Sequence, residues 1–198
     1  MSTSSIRVIA GQLKGRRIPT LSGRTTRPTS QRAREALFSI LGDQIQGATM
    51  ADLFAGTGAV GLEALSRGAA KVLFVEQNPI AGDSIQRTLT QFKISASNRV
   101  LTEDVSLAIQ NSILVGWAPF DIIFMDPPYR LPNIQELLRQ IEEANLIAPT
   151  GRIIYEHFHK TIAPLSIGAW TLIRTARYGD TGFSFYQPQS QTAEDSEA

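Results

Sequence analysis

Asp126-Pro127-Pro128-Tyr129, directly behind the largely apolar run 120–125, sets an acceptor-only carboxylate, two rigid prolines and an aromatic ring at the end of a predicted strand. The prolines hold φ at about −65° and remove two N–H donors, so this corner offers carbonyl oxygens and the Asp126 carboxylate to whatever approaches. A residue before proline is held extended, which lets Asp126 close the strand and aim its side chain out of the sheet's carboxyl edge. The exocyclic amino group of a nucleobase meets that demand. Its two N–H groups reach Asp126 and the Pro127 carbonyl while the ring stacks on Tyr129, a contact worth about 1–3 kcal/mol per base. An ordinary strand-to-loop turn uses the same residue types, so the corner alone does not decide.

Upstream, Met50-Ala51-Asp52-Leu53-Phe54 reads as a strand entering Ala55-Gly56-Thr57-Gly58-Ala59-Val60-Gly61, which opens the helical Leu62-Glu63-Ala64-Leu65. Glycines between a strand and a helix allow a tight turn and a close approach of backbone to a ligand. Glu76 closes the next strand-like run, Val72-Leu73-Phe74-Val75, 20 residues after Gly56. An acid at that offset accepts hydrogen bonds from two ribose hydroxyls, in dinucleotide and S-adenosylmethionine sites alike.

The carboxylates around the loop separate the two ligands. Asp52 precedes the glycines and Asp104 follows a third strand-like run, 99–103. S-adenosylmethionine carries an ammonium and a sulfonium and no phosphate, so a ring of acids suits it, whereas a pyrophosphate favours a basic or backbone cradle. Asp52 is placed for the methionine amino group. Asp104 can also serve as the N-cap of a helix starting at Val105, and both roles are compatible. The expected cofactor contacts are Asp52, Phe54, Gly56, Thr57, Gly58, Glu76, Gln77, Asp104 and Val105.

Asp52-Leu53-Phe54-Ala55-Gly56-Thr57-Gly58 together with Asp126-Pro127-Pro128-Tyr129 resembles the amino-group methyltransferases that use S-adenosylmethionine. Arg7-Val8-Ile9-Ala10-Gly11, Lys14-Gly15-Arg16, Arg27-Pro28-Thr29, Arg34-Glu35-Ala36-Leu37-Phe38 and Tyr178-Gly179-Asp180-Thr181 narrow the resemblance to the RsmD family, over about residues 6 to 187. That likeness implies methylation of a guanine N2 in 16S ribosomal RNA, free or within a partly or fully assembled small subunit. It also implies S-adenosylhomocysteine as product and Asp126, Pro127, Pro128 and Tyr129 as the catalytic residues. A DNA adenine-N6 enzyme shares the turn, but usually carries a separate sequence-reading domain for which this chain has little room. A nicotinamide dehydrogenase leaves Asp-Pro-Pro-Tyr without a purpose, and a non-catalytic RNA-binding module leaves the cofactor loop without one.

The net charge of +1 hides an asymmetry. Residues 1–40 hold eight cations, Arg7, Lys14, Arg16, Arg17, Arg24, Arg27, Arg32 and Arg34, against the single acid Glu35; the remainder holds 11 basic and 17 acidic residues. Arginine's planar fork suits phosphate and stacks on bases, so all eight are candidate RNA contacts, with solvated surface charge as the plainer alternative.

With 198 residues and 42% hydrophobic content, one sizeable core is expected. There is no cysteine, so disulfides and thiolate metal sites are excluded. His157 and His159 lack the further ligands a metal site needs, and no metal is expected. The apolar runs of about four residues fall far short of the roughly 20 that span a bilayer, and no secretory signal is evident, so a soluble cytoplasmic protein is expected, and a monomer is taken as its state.

The elements that must position these residues follow from period and punctuation. A hairpin around residues 7–18 and a helix with Ala33, Leu37, Ile40 and Leu41 on one face, ending at Gly42, form a small basic extension over residues 1–42. Strands near 50–54, 71–76, 99–103, 120–126 and 151–156, separated by helices, argue for a parallel sheet over the methyltransferase domain 43–187; Asn78-Pro79 opens one of the helices. Residues 170–177 and 182–187 read as a closing hairpin. With the resemblance, this implies an α/β, Rossmann-like class I methyltransferase fold with a mostly parallel seven-stranded sheet and an antiparallel last strand. The tail 188–198, with Glu194-Asp195-Ser196-Glu197, is expected to be disordered.

Overall fold

The computed structural model describes residues 5–20, 29–94, 96–128 and 134–189. Strands β1 (Ser5–Arg7) and β2 (Arg17–Pro19) form the expected antiparallel hairpin. Helix α1 (Gln31–Leu41) follows, opened by the Ser30 hydroxyl accepting from the Ala33 amide and closed at Gly42. Its buried apolar stripe is Ala33, Leu37, Phe38 and Leu41; Ile40 is only partly buried, because the 3.6-residue period carries it to the rim.

A 3-10 turn over Gly42–Ile45 leads into strands alternating with helices, two short helices filling one of the connections. These are β3 (Thr49–Leu53), α2 (Ala59–Ser66), β4 (Lys71–Val75), α3 (Pro79–Phe92), β5 (Arg99–Leu101), α4 (Val105–Ala108), α5 (Ser112–Trp117), β6 (Phe120–Met125), α6 (Ile134–Glu143) and β7 (Ile147–Phe158). The chain closes with β8 (Ser166–Ile167), β9 (Trp170–Tyr178) and β10 (Thr181–Pro188). The sheet order is β5-β4-β3-β6-β7-β10-β9-β8, with the first five strands parallel and β10 antiparallel to both neighbours.

The sheet differs from expectation in two details. It has an eighth strand, the two-residue β8 at its edge, too short to leave a period in the sequence. The last strand takes in Pro188, and the Gln189 amide donates to the Ala169 carbonyl at 2.7 Å, so regular structure continues past the expected tail boundary. Side-chain polarity suggested that boundary, but backbone bonding sets it. Residues 190–198 lie outside the described residues.

Alternation sorts the strands onto two faces. Met50, Val72, Phe74, Ile122, Phe124 and Ile154 meet α1, α2 and α3, while Ala51, Leu53, Leu73, Val75, Ile123, Met125, Ile153 and Tyr155 meet α4, α5 and α6. Both faces of the central strands are covered, as a parallel sheet requires.

The basic extension is locked to α2 through Glu63, which is fully buried. Its carboxylate accepts from the Ile9 amide at 2.7 Å, the Ala10 amide at 3.0 Å and Arg67 Nε at 2.7 Å. Arg34, also fully buried, places Nε 3.8 Å from Glu63 Oε2 and donates from Nη2 to the Arg7 carbonyl at 2.6 Å. Gly11, at φ +78°, passes so close to α2 that a Cβ there would stand 1.8 Å from the Ser66 carbonyl oxygen. Two segments that carry the family resemblance, Arg7 to Gly11 and Arg34 to Phe38, therefore hold this docking in place.

Candidate active site

The first turn of the site is built by backbone conformation. Phe54 leaves β3 at φ 68°, a left-handed geometry that costs a non-glycine residue about 1–3 kcal/mol and is held only where surroundings demand it. Gly56 at φ 57° and Gly58 at φ 73° continue the corner, and Gly58 is the residue from which α2 starts. The Gly61 amide donates to Asp52 Oδ2 at 2.9 Å, which ties the head of α2 back to the strand. The Gly56 amide donates to Glu76 Oε2 at 2.8 Å, and the Asn78 amide to Glu76 Oε1 at 2.8 Å. The predicted ribose acid thus stands beside the glycine loop with both oxygens aligned by backbone donors.

Strand register brings a second set of acids together. Leu53, Met125 and Tyr155 are laterally aligned across β3, β6 and β7. Asp126, the residue after β6, and Glu156, in β7, come one residue beyond this aligned pair at the carboxyl edge, on the face that carries Phe124 and Ile154 and near enough for the Asp126 charge to act on Glu156. Asp52 lies on that same face. Asp52 and Glu156 are buried, and Asp126 is half-buried at the mouth. Pro127 is buried and Pro128 exposed; Tyr129 lies outside the described residues.

None of these three carboxylates forms a salt bridge among the described residues. Burial pushes Asp52 up to about 7; the Gly61 amide opposes the shift, and the charges of Asp126 and Glu76 add to it. Burial likewise raises Asp126 to about 7. Glu156 is raised to about 8, first by burial and then by the Asp126 charge, against hydrogen bonds from the Thr29 and Thr181 hydroxyls. Such a cluster resists ionising until a cation or a donor-rich ligand enters. The donor set therefore suits an ammonium and a sulfonium, and it gives a pyrophosphate nothing.

Other predicted residues take different places. Asp104 is exposed and caps α4, its carboxylate accepting from the Ser106 amide at 2.8 Å. Val105 is buried in the apolar cluster beneath, so its side chain serves the core; Gln77 is exposed and Thr57 half-buried. Of the eight cations, Arg7, Lys14, Arg17 and Arg32 are exposed. Arg16 is half-buried, its guanidinium 4.2 Å over the Phe92 ring and donating to the Gln91 carbonyl. Arg34 is a correction: its guanidinium is enclosed against Glu63, so it cannot meet an RNA phosphate. A run of arginines reads as surface charge, but Arg34 stands three, four and seven positions before Leu37, Phe38 and Leu41 and so shares the buried face of α1. Arg24 and Arg27 lie outside the described residues.

His157 and His159 are engaged elsewhere. His157 Nε2 is 2.8 Å from Ser184 Oγ and its Nδ1 is 2.9 Å from the Phe158 carbonyl oxygen; His159 Nδ1 is 3.3 Å from the Asp180 carbonyl oxygen. Sequence reasoning missed Thr29 and Thr181 as site residues. Isolated hydroxyl residues leave no periodic signal, and the two meet Glu156 only through the fold.

Residues 6–187 match the family described as Conserved hypothetical protein 95. The chain is 31% identical over 195 residues to the Ribosomal RNA small subunit methyltransferase D of Escherichia coli (strain K12), covering 98% of this chain and 96% of that protein. The solved Escherichia coli protein yhhF superposes with a TM-score of 0.83 at 32% identity, covering 95% of this chain and all of the other. An RNA methyltransferase from Salinibacter ruber, solved with S-adenosyl-L-homocysteine, shares the fold with a TM-score of 0.63 at 14% identity over 87% of this chain and 100% of that one.

Proposed function

The chain belongs to the Conserved hypothetical protein 95 family, that of the RsmD methyltransferases, and from that premise we propose that it methylates small-subunit ribosomal RNA with S-adenosylmethionine as donor, at the exocyclic N2 of a guanine. The observation that carries the reading is the pairing of a glycine loop and ribose acid with an adjacent cluster of carboxylates that have no cationic partner among the described residues. Asp52, the loop 54–58 and Glu76 hold the cofactor; Asp126 and Pro127 receive the base.

When bound there, S-adenosylmethionine supplies a methyl carbon on sulfonium, whose C–S bond breaks as the N–C bond forms and leaves a neutral thioether. The lone pair of a guanine amino group is conjugated into the ring and is a poor nucleophile. Asp126 and the Pro127 carbonyl each accept one of its N–H bonds and turn the lone pair out of the ring plane toward the donor. Holding reactants in such a pose supplies up to about 7–11 kcal/mol of the barrier. The nitrogen becomes cationic on transfer, and Asp126 or water takes its proton. The site sits at a sheet edge that a base inside a helix cannot reach, which favours an unpaired or flipped nucleotide.

The test is transfer of labelled methyl groups to protein-free small-subunit RNA and to assembled small subunits, followed by nucleoside digestion. N2-methylguanine is the expected product, and label confined to DNA adenine would sink the reading.

Cofactor binding should be linked to pH. Asp52, Asp126 and Glu156 have raised values in the ligand-free fold, so the folded state holds protons that the unfolded chain releases above about pH 4. The free protein is expected to lose stability as pH rises through the window from about 4 to about 8. The cofactor's positive charges favour the ionised carboxylates, so its stabilising effect should grow across the upper part of that window. Thermal melts with and without S-adenosylmethionine at pH 6, 7 and 8 check this. A midpoint difference that shrinks with rising pH would contradict it.

RNA affinity should depend on salt through the exposed Arg7, Lys14, Arg17 and Arg32. Four phosphate contacts correspond to a loss on the order of 10²-fold between 50 and 200 mM salt. Filter binding at the two concentrations measures it, and an affinity indifferent to salt would remove these residues from the interface.

A further inference from the structure

Glu156 is a buried acid that the transfer step does not use. It stands beside Asp126 at the carboxyl edge, and no cation faces it among the described residues. Thr29 Oγ1 donates to its Oε2 at 2.7 Å, and the Thr181 hydroxyl also bonds to the carboxylate. These hydroxyls come from opposite ends of the chain, one just before α1 and one at the start of β10, within the Arg27-Pro28-Thr29 and Tyr178-Gly179-Asp180-Thr181 segments. Three parts of the fold thus converge to orient one carboxylate next to the residue that receives the amino group. Burial and the Asp126 charge both oppose its ionisation, so its structural surroundings do not explain why an acid stands there.

The chemistry of the base supplies a reason. On the Watson–Crick edge of guanine, the N2 amino group lies next to N1–H, a further donor; in adenine and 2-aminopurine the ring nitrogen beside the amino group is a bare acceptor. A pair of adjacent carboxylates faces adjacent donors favourably and an acceptor unfavourably. With the amino group at Asp126, the neighbouring ring nitrogen falls on the side of one of its lateral neighbours. On β7 the carboxylate there is Glu156; on β3 the acid, Asp52, pairs with Phe124, two positions before Asp126, and is assigned to the cofactor.

We infer that Glu156, oriented by Thr29 and Thr181, is a specificity-determining residue that accepts the N1–H of the target guanine and thereby selects guanine over bases that carry an amino group beside an unprotonated ring nitrogen. This rests on the proposed N2 methylation. Asp126 positions the reacting nitrogen, and Glu156 reads the atom next to it.

The experiment has two stages. The methylated guanine is first mapped in small-subunit RNA, which tests the function itself. That position is then replaced by 2-aminopurine, which keeps the N2 amino group and lacks N1–H, in otherwise identical RNA made by ligation. The wild-type protein is expected to prefer guanine by on the order of 10–100-fold in kcat/KM, the worth of one charge-assisted base contact. In Glu156→Gln the amide can donate as well as accept, so the preference should collapse toward unity through a gain on 2-aminopurine as well as a loss on guanine. Competition binding of the two RNAs, read by 2-aminopurine fluorescence, should move in the same direction without turnover. Thr29→Val, which removes one orienting hydroxyl and leaves the acid, should lower the preference partway and serves if Glu156→Gln does not fold. Equal losses on both RNAs with the preference intact would make Glu156 merely structural and overturn the inference, as would a wild-type protein indifferent to the replacement. Methylation at an atom other than N2 would overturn the functional reading first and this inference with it.

Discussion

Asp126→Ala is expected to lower kcat by on the order of 10²–10³-fold, the usual cost of removing one positioned group from a reaction centre, while S-adenosylmethionine binding is largely kept. The separation follows from the layout of the strands. Asp126 follows β6, whereas the loop follows β3, Asp52 lies within β3 and Glu76 follows β4. Gly58→Val is the counterpart. Its φ of +73° is strained for a side chain, and its Cβ would stand 3.1 Å from Ile85 Cγ1, so cofactor affinity should fall before the chemistry does. Isothermal titration for binding and single-turnover methyl transfer for chemistry distinguish the two. An Asp126→Ala protein that turns over normally, or one that fails to bind the cofactor while folded, would overturn the assignment.

Glu63→Ala should unfold the protein far more readily than an exchange on the surface. The substitution leaves Arg34 as an uncompensated buried cation and strips the Ile9 and Ala10 amides of their acceptor. Removing one partner of a buried pair costs about 3–5 kcal/mol, a large part of the roughly 5–15 kcal/mol that holds a domain together. For a chain of this size that corresponds to a melting temperature about 6–20 °C lower. Among the described residues Arg34 Nε and Nη1 have no hydrogen-bond partner, so the pair is an imperfect one, and Arg34→Met with Glu63→Leu should recover much of the loss. Thermal and urea unfolding of the single and double variants decide this. A Glu63→Ala protein as stable as the parent would show that the extension is not locked through this residue.

The second prediction marks where local reading stopped. Arg34 sits in a run of basic residues but stands three, four and seven positions before Leu37, Phe38 and Leu41, on the buried face of α1, whereas Arg32 is exposed; the helical period held that signal, but not the partner. Its partner is 29 positions away on α2, and the contact exists only because the hairpin and α1 pack over that helix. Glu156 shows the same limit from the other side. An acid after the apolar residues Ile153-Ile154-Tyr155 says nothing locally of its neighbours, because its place near Asp126 depends on a lateral register that no single strand encodes.

The sequence by itself determined the features that depend on near neighbours. Glycines between a strand and a helix, an acid 20 residues on and Asn78 before Pro79 each constrain a few adjacent dihedrals or donors, so the loop and the run of strands and helices were legible from residue types and spacing. Only the tertiary structure decided which charges are structural and which are available. Burial and pairing are properties of groups far apart in the chain: they made Arg34 and Glu63 a lock, and they joined Thr29, Asp126, Glu156 and Thr181 at one edge of the sheet. A charged side chain has the same type wherever it stands, and what it does depends on how much water and which partners the fold leaves around it.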